Sequence, residues 1–175
     1  MTSACESGPS AWVQSHAGLI KPGGKVLDLA AGGGRHTRYF KDLGYQVTAL
    51  DRDVSALQDL AGQDIEIVPA DLEDGSPWPF GARTFDGVVV TNYLHRPLFP
   101  HLAGALAPGG VLIYETFGIG NERFGKPSNP NFLLRPGELL EFAGAHGLQV
   151  LAYACGEVAV PKRAITQRMV AQRLA

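Results

Sequence analysis

Three aspartates and a glycine loop stand where they could grip a nucleoside. Asp28 lies within the apolar run Lys25–Ala30, Asp51 ends the run Gln46–Asp51, and Asp71 follows the run Ile65–Pro69. Directly after the first run comes Ala30-Ala31-Gly32-Gly33-Gly34, with three glycines in succession. Missing side chains let a ligand lie against backbone. A helix beginning after such a loop offers unpaired N–H groups and partial positive charge. A carboxylate at the end of a second strand can accept hydrogen bonds from both hydroxyls of a ribose. A polar side chain after the third can reach an adenine amino group. The ordered set points to an adenosine-containing ligand, although each feature alone also suits a tight turn or a helix cap.

A second set of residues could serve a reaction partner. After a fourth apolar run, Phe85–Thr91, the segment TNYLHRPLFPHL supplies Asn92, Tyr93, His95, Arg96 and His101. His95 is the candidate base because imidazole titrates near neutral pH; a helix-capping role is its structural alternative. Tyr93 is a second catalytic candidate, with packing or a lid as its other readings. Farther on come Glu115, Asn121, Arg123, Phe124 and Lys126. Arg96, Arg123 and Lys126 could bind an anion or be solvated loop charges. Arg35 and His36 could touch a ligand carboxylate or simply face solvent on a helix. Trp12 could cover the ligand or anchor the core.

The elements that would position these groups alternate strand with helix. The spacing predicts strands at 25–30, 46–51, 65–69, 85–91 and 111–117. Helices are expected at 35–43 with Gly44 as the stop, from an Asp53 cap to Leu60, at 98–106, and at 136–146. Two late strands, 148–155 and 165–174, are separated only by a turn and must pair antiparallel. The remainder is an open, mostly parallel α/β sheet with helices on both faces. Glu73 to Thr84 leaves little room for a helix, and Gly118–Arg135 is a long irregular loop.

With those residues in view, the chain resembles the class I S-adenosylmethionine-dependent methyltransferases. Asp28-Leu29-Ala30-Ala31-Gly32-Gly33-Gly34 matches their D-x-G-x-G-x-G motif, with Ala30 in place of the first glycine. Asp51, the Asp71-Leu72 pair, Asn92-Tyr93-Leu94 and Pro108-Gly109-Gly110 match later motifs. The resemblance implies a doubly wound, Rossmann-like, mostly parallel seven-stranded sheet of order 3-2-1-4-5-7-6 with strand 7 antiparallel. It implies S-adenosyl-L-methionine as cofactor and S-adenosyl-L-homocysteine as product. Ala30, Ala31, Gly32 and Gly34 would hold the methionine part, with Asp28 near its amino group and Arg35 and His36 near its carboxylate. Asp51 would take the ribose, Arg52 would lie alongside the adenine, and Asp71 and Leu72 would bind the adenine. Asn92 and Tyr93 would lie near the sulfonium. The activated methyl then needs mainly an aligned nucleophile and exclusion of water.

Asn129-Pro130-Asn131-Phe132 looks like the N-P-P-Y/F signature of methyltransferases that modify nitrogen. It follows the fifth strand rather than the fourth and lacks the second proline, so it reads as a turn. The fingerprint G-x-G-x-x-G of nicotinamide-dependent oxidoreductases is absent, Thr37 standing where the third glycine would be.

The bulk numbers agree with a single domain over 1–175. Net charge is -2, and Lys162, Arg163, Arg168 and Arg173 are scattered along the late hairpin, so no nucleic-acid partner is expected. Cys5 and Cys155 fit neither a disulfide framework nor a metal site, and none is expected. The N-terminus lacks a signal-peptide pattern and no apolar run approaches the roughly 20 residues of a membrane helix. The expectation is a cytoplasmic enzyme, monomer or homodimer, methylating a small, anionic acceptor. The tellurite-resistance branch is one such relative. Methylation of RNA or protein with a partner, and cofactor binding without catalysis, are the alternatives.

Overall fold

A computed structural model describes residues 8–62 and 64–175. Cys5 lies outside the described residues. Seven strands form one sheet in the order β3-β2-β1-β4-β5-β7-β6. They are β1 (Lys25–Leu29), β2 (Gln46–Asp51), β3 (Ile65–Pro69), β4 (Phe85–Thr91), β5 (Leu106–Phe117), β6 (Leu148–Val158) and β7 (Ala164–Arg173). β1 to β5 pair in parallel, and β7 runs antiparallel to both β5 and β6. The helices are α1 (Ala11–His16), α2 (Arg35–Asp42), α3 (Phe99–Gly104) and α4 (Glu138–Ala145).

Strand alternation splits the core in two. Leu27, Leu29, Val88, Val90, Leu112, Tyr114 and Met169 face one side, with Leu102, Leu139 and Phe142 of α3 and α4. Val26, Val47, Val89, Val111, Ile113 and Val170 face the other, with Val13 of α1 and Phe40 of α2. Gly87 in β4 is required by contact: a Cβ there would lie 2.5 Å from Ile20 Cδ1.

Four expected elements differ in detail. The Asp53-capped helix is instead a 3-10 segment, Ser55–Leu60, and Asp53 accepts the Ser55 N–H in a local turn. The helix expected at 98–106 is a 3-10 turn, Arg96–Leu98, followed by the short α3, each with proline in its first turn, and it ends early because Leu106 already belongs to β5. β5 begins five residues early, at Leu106, since the register slips between Phe85 and Gly87 and lets Pro108-Gly109-Gly110 bulge within the strand. β6 runs three residues beyond its expected end, to Val158. The 118–135 loop is ordered by short 3-10 turns and by a bridge between Gly118 and Leu134. Within it Asn129 accepts the Asn131 N–H, the turn role read for that motif.

Candidate functional site

The carboxyl ends of β1, β2, β3 and β4 open onto a cavity of about 530 Å³, bordered by Ala30, Asp51, Arg52, Asp71, Leu72 and Asn92. Ligand clefts in open parallel sheets form at such strand ends. Tyr93, Phe117, Pro127 and Phe132 also face it.

Local hydrogen bonds explain the geometry. Gly32 N–H donates to Asp51 Oδ2 at 2.8 Å and Asp53 N–H to Asp51 Oδ1 at 3.0 Å. The glycine loop and β2 are thereby locked together. Asp71 Oδ1 accepts the Glu73 N–H at 2.9 Å. Ala30 and Asn92 both have positive φ, 58° and 55°. Asparagine tolerates that region, whereas alanine is strained in it. Ala30 therefore holds the backbone shape of the glycine it replaces.

The other glycines answer to the protein itself. At Gly34 (φ +79°) a Cβ would lie 2.6 Å from Leu57 Cδ2, so the loop is pressed against the 55–60 segment. Gly32 (φ +54°) has open space beside it and is needed for its backbone angle.

Asp28 and His36 sit behind the cleft rather than on its wall. Both are 2% exposed. Thr37 Oγ1 donates to Asp28 Oδ2 at 2.6 Å. Burial pushes the Asp28 carboxyl up to about 6, opposed by the Thr37 hydrogen bond. Burial, with Arg35 beside it, pushes the His36 imidazole down to about 4. Neutral His36 Nε2 accepts the Ser10 N–H at 3.0 Å, and Nδ1 lies 3.4 Å from Thr91 Oγ1. His36 is thus an interior tether for the leading segment, neither a surface residue nor a wall of the cleft. Ser10 Oγ in turn caps α1 and donates to Glu115 Oε2 at 3.0 Å.

Tyr93 borders the cleft and donates to Glu73 Oε1 at 3.0 Å. Burial and the Glu73 carboxylate raise its phenol well above the usual range, so it remains a neutral donor at neutral pH. His95 lines a neighbouring cavity of about 510 Å³ with Trp78 and His101, whose rings stack at 5.2 Å. Arg96 is fully engaged. It pairs with Glu138 (Nε to Oε1 2.5 Å) and donates to Asn131 O and Leu133 O, fastening the long loop to α4. Its charge is thus matched by Glu138 within the protein. Arg123 donates to Gly120 O.

A further cavity, about 520 Å³, adjoins the cleft, and Asn92 and Phe117 belong to both walls. The leading segment around Ser10 and Trp12, Arg35, Glu115, Lys126 and the β6–β7 tip enclose it. The expected substrate-side residues Glu115, Asn121 and Lys126 meet here, although Asn121 is 2% exposed and holds Ile165 N–H and Pro127 O. Sequence reasoning missed Thr166 and the role of Arg168. The hairpin cations looked scattered, yet Arg168 Cζ lies 5.0 Å over the Trp12 ring and Arg163 Cζ 4.6 Å over Phe124. The two-residue step from Thr166 to Arg168 was the available signal, because it places both on one face of a strand.

Among the described residues no cluster of His, Cys, Asp and Glu could hold a metal ion, and no helix is long and apolar enough to cross a membrane.

Residues 26–110 match the family described as "Methyltransferase domain". A protein-L-isoaspartate O-methyltransferase of Chlorobaculum tepidum is 35% identical over 108 residues, covering 58% of this chain and 49% of that protein. A demethylmenaquinone methyltransferase of Corynebacterium urealyticum is 33% identical over 103 residues, covering 56% and 44%. The chain thus spans about half the length of the curated relatives it matches. Among solved structures, TehB from Haemophilus influenzae superposes with a TM-score of 0.74 at 20% identity, over 98% of this chain and 63% of that one. The Burkholderia thailandensis 1,6-didemethyltoxoflavin N1-methyltransferase, solved with its substrate and S-adenosylhomocysteine, gives 0.69 at 24% identity, over 94% and 77%. Residues 26–110 thus match a methyltransferase domain, and the sheet order is that of the solved methyltransferases on which the chain superposes.

Proposed function

We propose that this protein transfers a methyl group from S-adenosylmethionine to a small-molecule acceptor. The observation that carries the reading is one cleft that gathers Asp51, Asp71 and Asn92 from the ends of three strands and shares Asn92 with a second cavity. A volume of about 530 Å³ is ample for a nucleoside cofactor. In it Asp51 would receive the ribose hydroxyls, both of its oxygens already oriented by backbone donors. Asp71 and Leu72 would hold the adenine, with Arg52 beside it, and Asp28 would lie toward the amino group. When bound, the cofactor supplies a methyl made electrophilic by its sulfonium.

The chain's own task is then alignment and exclusion of water. Asn92, in its left-handed conformation and held by an N–H bond to Glu115 O at 2.9 Å, fixes the junction of the two cavities. The acceptor would lie in the second cavity. Five cationic side chains against the single carboxylate of Glu115 favour an anionic one. Glu115 borders this cavity and is the group we assign to take a proton from an acceptor that arrives protonated. Tyr93 acts as a donor and packing residue, and His95 lines a cavity that meets the cleft along Ala70–Glu73, on the side away from Asn92.

Calorimetric titration with S-adenosylhomocysteine, with NAD in parallel, tests the reading. Micromolar binding of the former alone is expected, and Asp51→Ala should abolish it while preserving the thermal transition. Binding of NAD alone, or wild-type affinity in Asp51→Ala, would overturn the assignment.

A further inference from the structure

Among the described residues two buried side-chain polar atoms have no hydrogen-bond partner, Thr166 Oγ1 and Arg168 Nε, and both residues line the second cavity. Thr166 is 6% exposed. Buried polar groups are nearly always paired, so two orphans on one wall point to a ligand. β7 sets them two residues apart, facing Phe117 and Glu115 of β5 in the antiparallel register. Arg168 Cζ lies 5.0 Å over the Trp12 ring, a cation–π contact that holds the guanidinium at this wall. No carboxylate lies within ion-pair distance of it among the described residues, whereas Arg163 is paired with Glu157.

Beside its charged groups the cavity has a broad apolar wall. Trp12, Phe117, Phe124, Val158, Val160 and Ala164 contribute to it. Val160, at the hairpin tip, is 80% exposed, a large apolar side chain left at the cavity rim. An inorganic oxyanion occupies the space of a few waters, at about 30 Å³ each, and would leave most of the roughly 520 Å³ unfilled.

We propose that the second cavity binds an organic acid with a flat apolar body, its carboxylate held by Arg168 and Thr166. This deepens, and rests on, the assignment of that cavity to the acceptor. Arg168 Nε and the Thr166 hydroxyl donate to the carboxylate. The body lies between the aromatic wall and Val158 and Val160, with the nucleophilic atom directed toward Asn92. Arg168 is then a specificity-determining residue that bears on the acceptor and leaves the cofactor cleft untouched.

The test uses the full chain and the probe pair naphthalene-2-carboxylate and 2-naphthamide, titrated by calorimetry with and without S-adenosylhomocysteine. Fluorescence of Trp12 in a Trp78→Phe background places the probe. The acid should bind and perturb Trp12, and the amide should bind about tenfold or more weakly, as befits loss of a charged hydrogen bond. Arg168→Gln should remove that preference while leaving S-adenosylhomocysteine affinity unchanged. Arg168→Lys, which keeps the charge but loses the fork, should lie between. Equal binding of acid and amide, absence of acid binding, or an unchanged preference in both variants would overturn the proposal. Loss of S-adenosylhomocysteine binding in Arg168→Gln would also overturn it, by assigning the arginine to the cofactor. Acid binding at Trp12 in a protein that does not bind S-adenosylhomocysteine would uphold the anion site and refute the cofactor reading alone.

Discussion

Replacing Asp28 by asparagine should make the protein more stable and a poorer cofactor binder. The carboxyl is 2% exposed and raised from 3.8 to about 6, so the folded state holds its proton more tightly than the unfolded chain. Stability from this group is present in full below pH 4 and is lost as pH rises through 6. At pH 7 the ionised form costs about 3 kcal/mol at most, from a shift of about two units at about 1.4 kcal/mol each. Asparagine keeps an acceptor for Thr37 Oγ1 and carries no charge. In urea titrations, Asp28→Asn should exceed the parent by about 1–3 kcal/mol at pH 7. The difference should shrink toward zero by about pH 4, where the parent is protonated too. Comparing the two proteins at each pH cancels the other titrating groups. S-adenosylhomocysteine affinity should fall at the same time, because the negative charge behind the glycine loop, toward which the amino group would lie, is gone. A variant no more stable at pH 7, or a difference that does not change between pH 7 and pH 4, would refute the account of a destabilising buried charge.

His36 works in the opposite direction. Its pKa is lowered from 6.5 to about 4, so its stabilisation is present above 6.5 and lost as pH falls toward 4. His36→Gln should therefore lose less stability than the parent on acidification from pH 7 to pH 4, read by the same titrations. Ala30→Gly should raise stability by about 0.5–1 kcal/mol, the relief of a left-handed alanine less the extra freedom of the unfolded chain, measured as a higher urea midpoint. Gly34→Ala should do the reverse, since its Cβ would lie 2.6 Å from Leu57 Cδ2, and a depressed melting temperature would show it. Arg96→Met should cost roughly 2 kcal/mol by leaving the buried Glu138 carboxylate with Arg135 alone, a value moderated by the partial exposure of Arg96.

The sheet was legible from sequence because its strands are short apolar runs ended by glycine or aspartate, and parallel pairing follows from the helices between them. Element ends were less so. Leu106, the expected end of one helix, belongs instead to β5, and the register slip beside Phe85 drew Pro108-Gly109-Gly110 into the same strand, neither of which a periodic pattern reports. At the site, the three aspartates were marked by their places at strand ends. The tether from Thr91 through His36 and Ser10 to Glu115 was not, because it joins residues up to 105 positions apart through single hydrogen bonds. His36 read as a ligand contact or a surface residue, and its burial was hidden because the chain that covers it comes 26 positions earlier.

The division of the two cavity walls along the chain has a consequence for how such a protein diversifies. The region shared with the methyltransferase-domain family, 26–110, contains Asp28, Asp51, Asp71 and Asn92. The second cavity draws mainly on stretches outside it, the segment around Trp12, the loop after β5, and the hairpin tip to Arg168. Recombination that exchanged only those stretches would give a new selectivity on an unaltered engine. The antiparallel β5–β7 ladder is the seam at which such a transplant would have to keep its register.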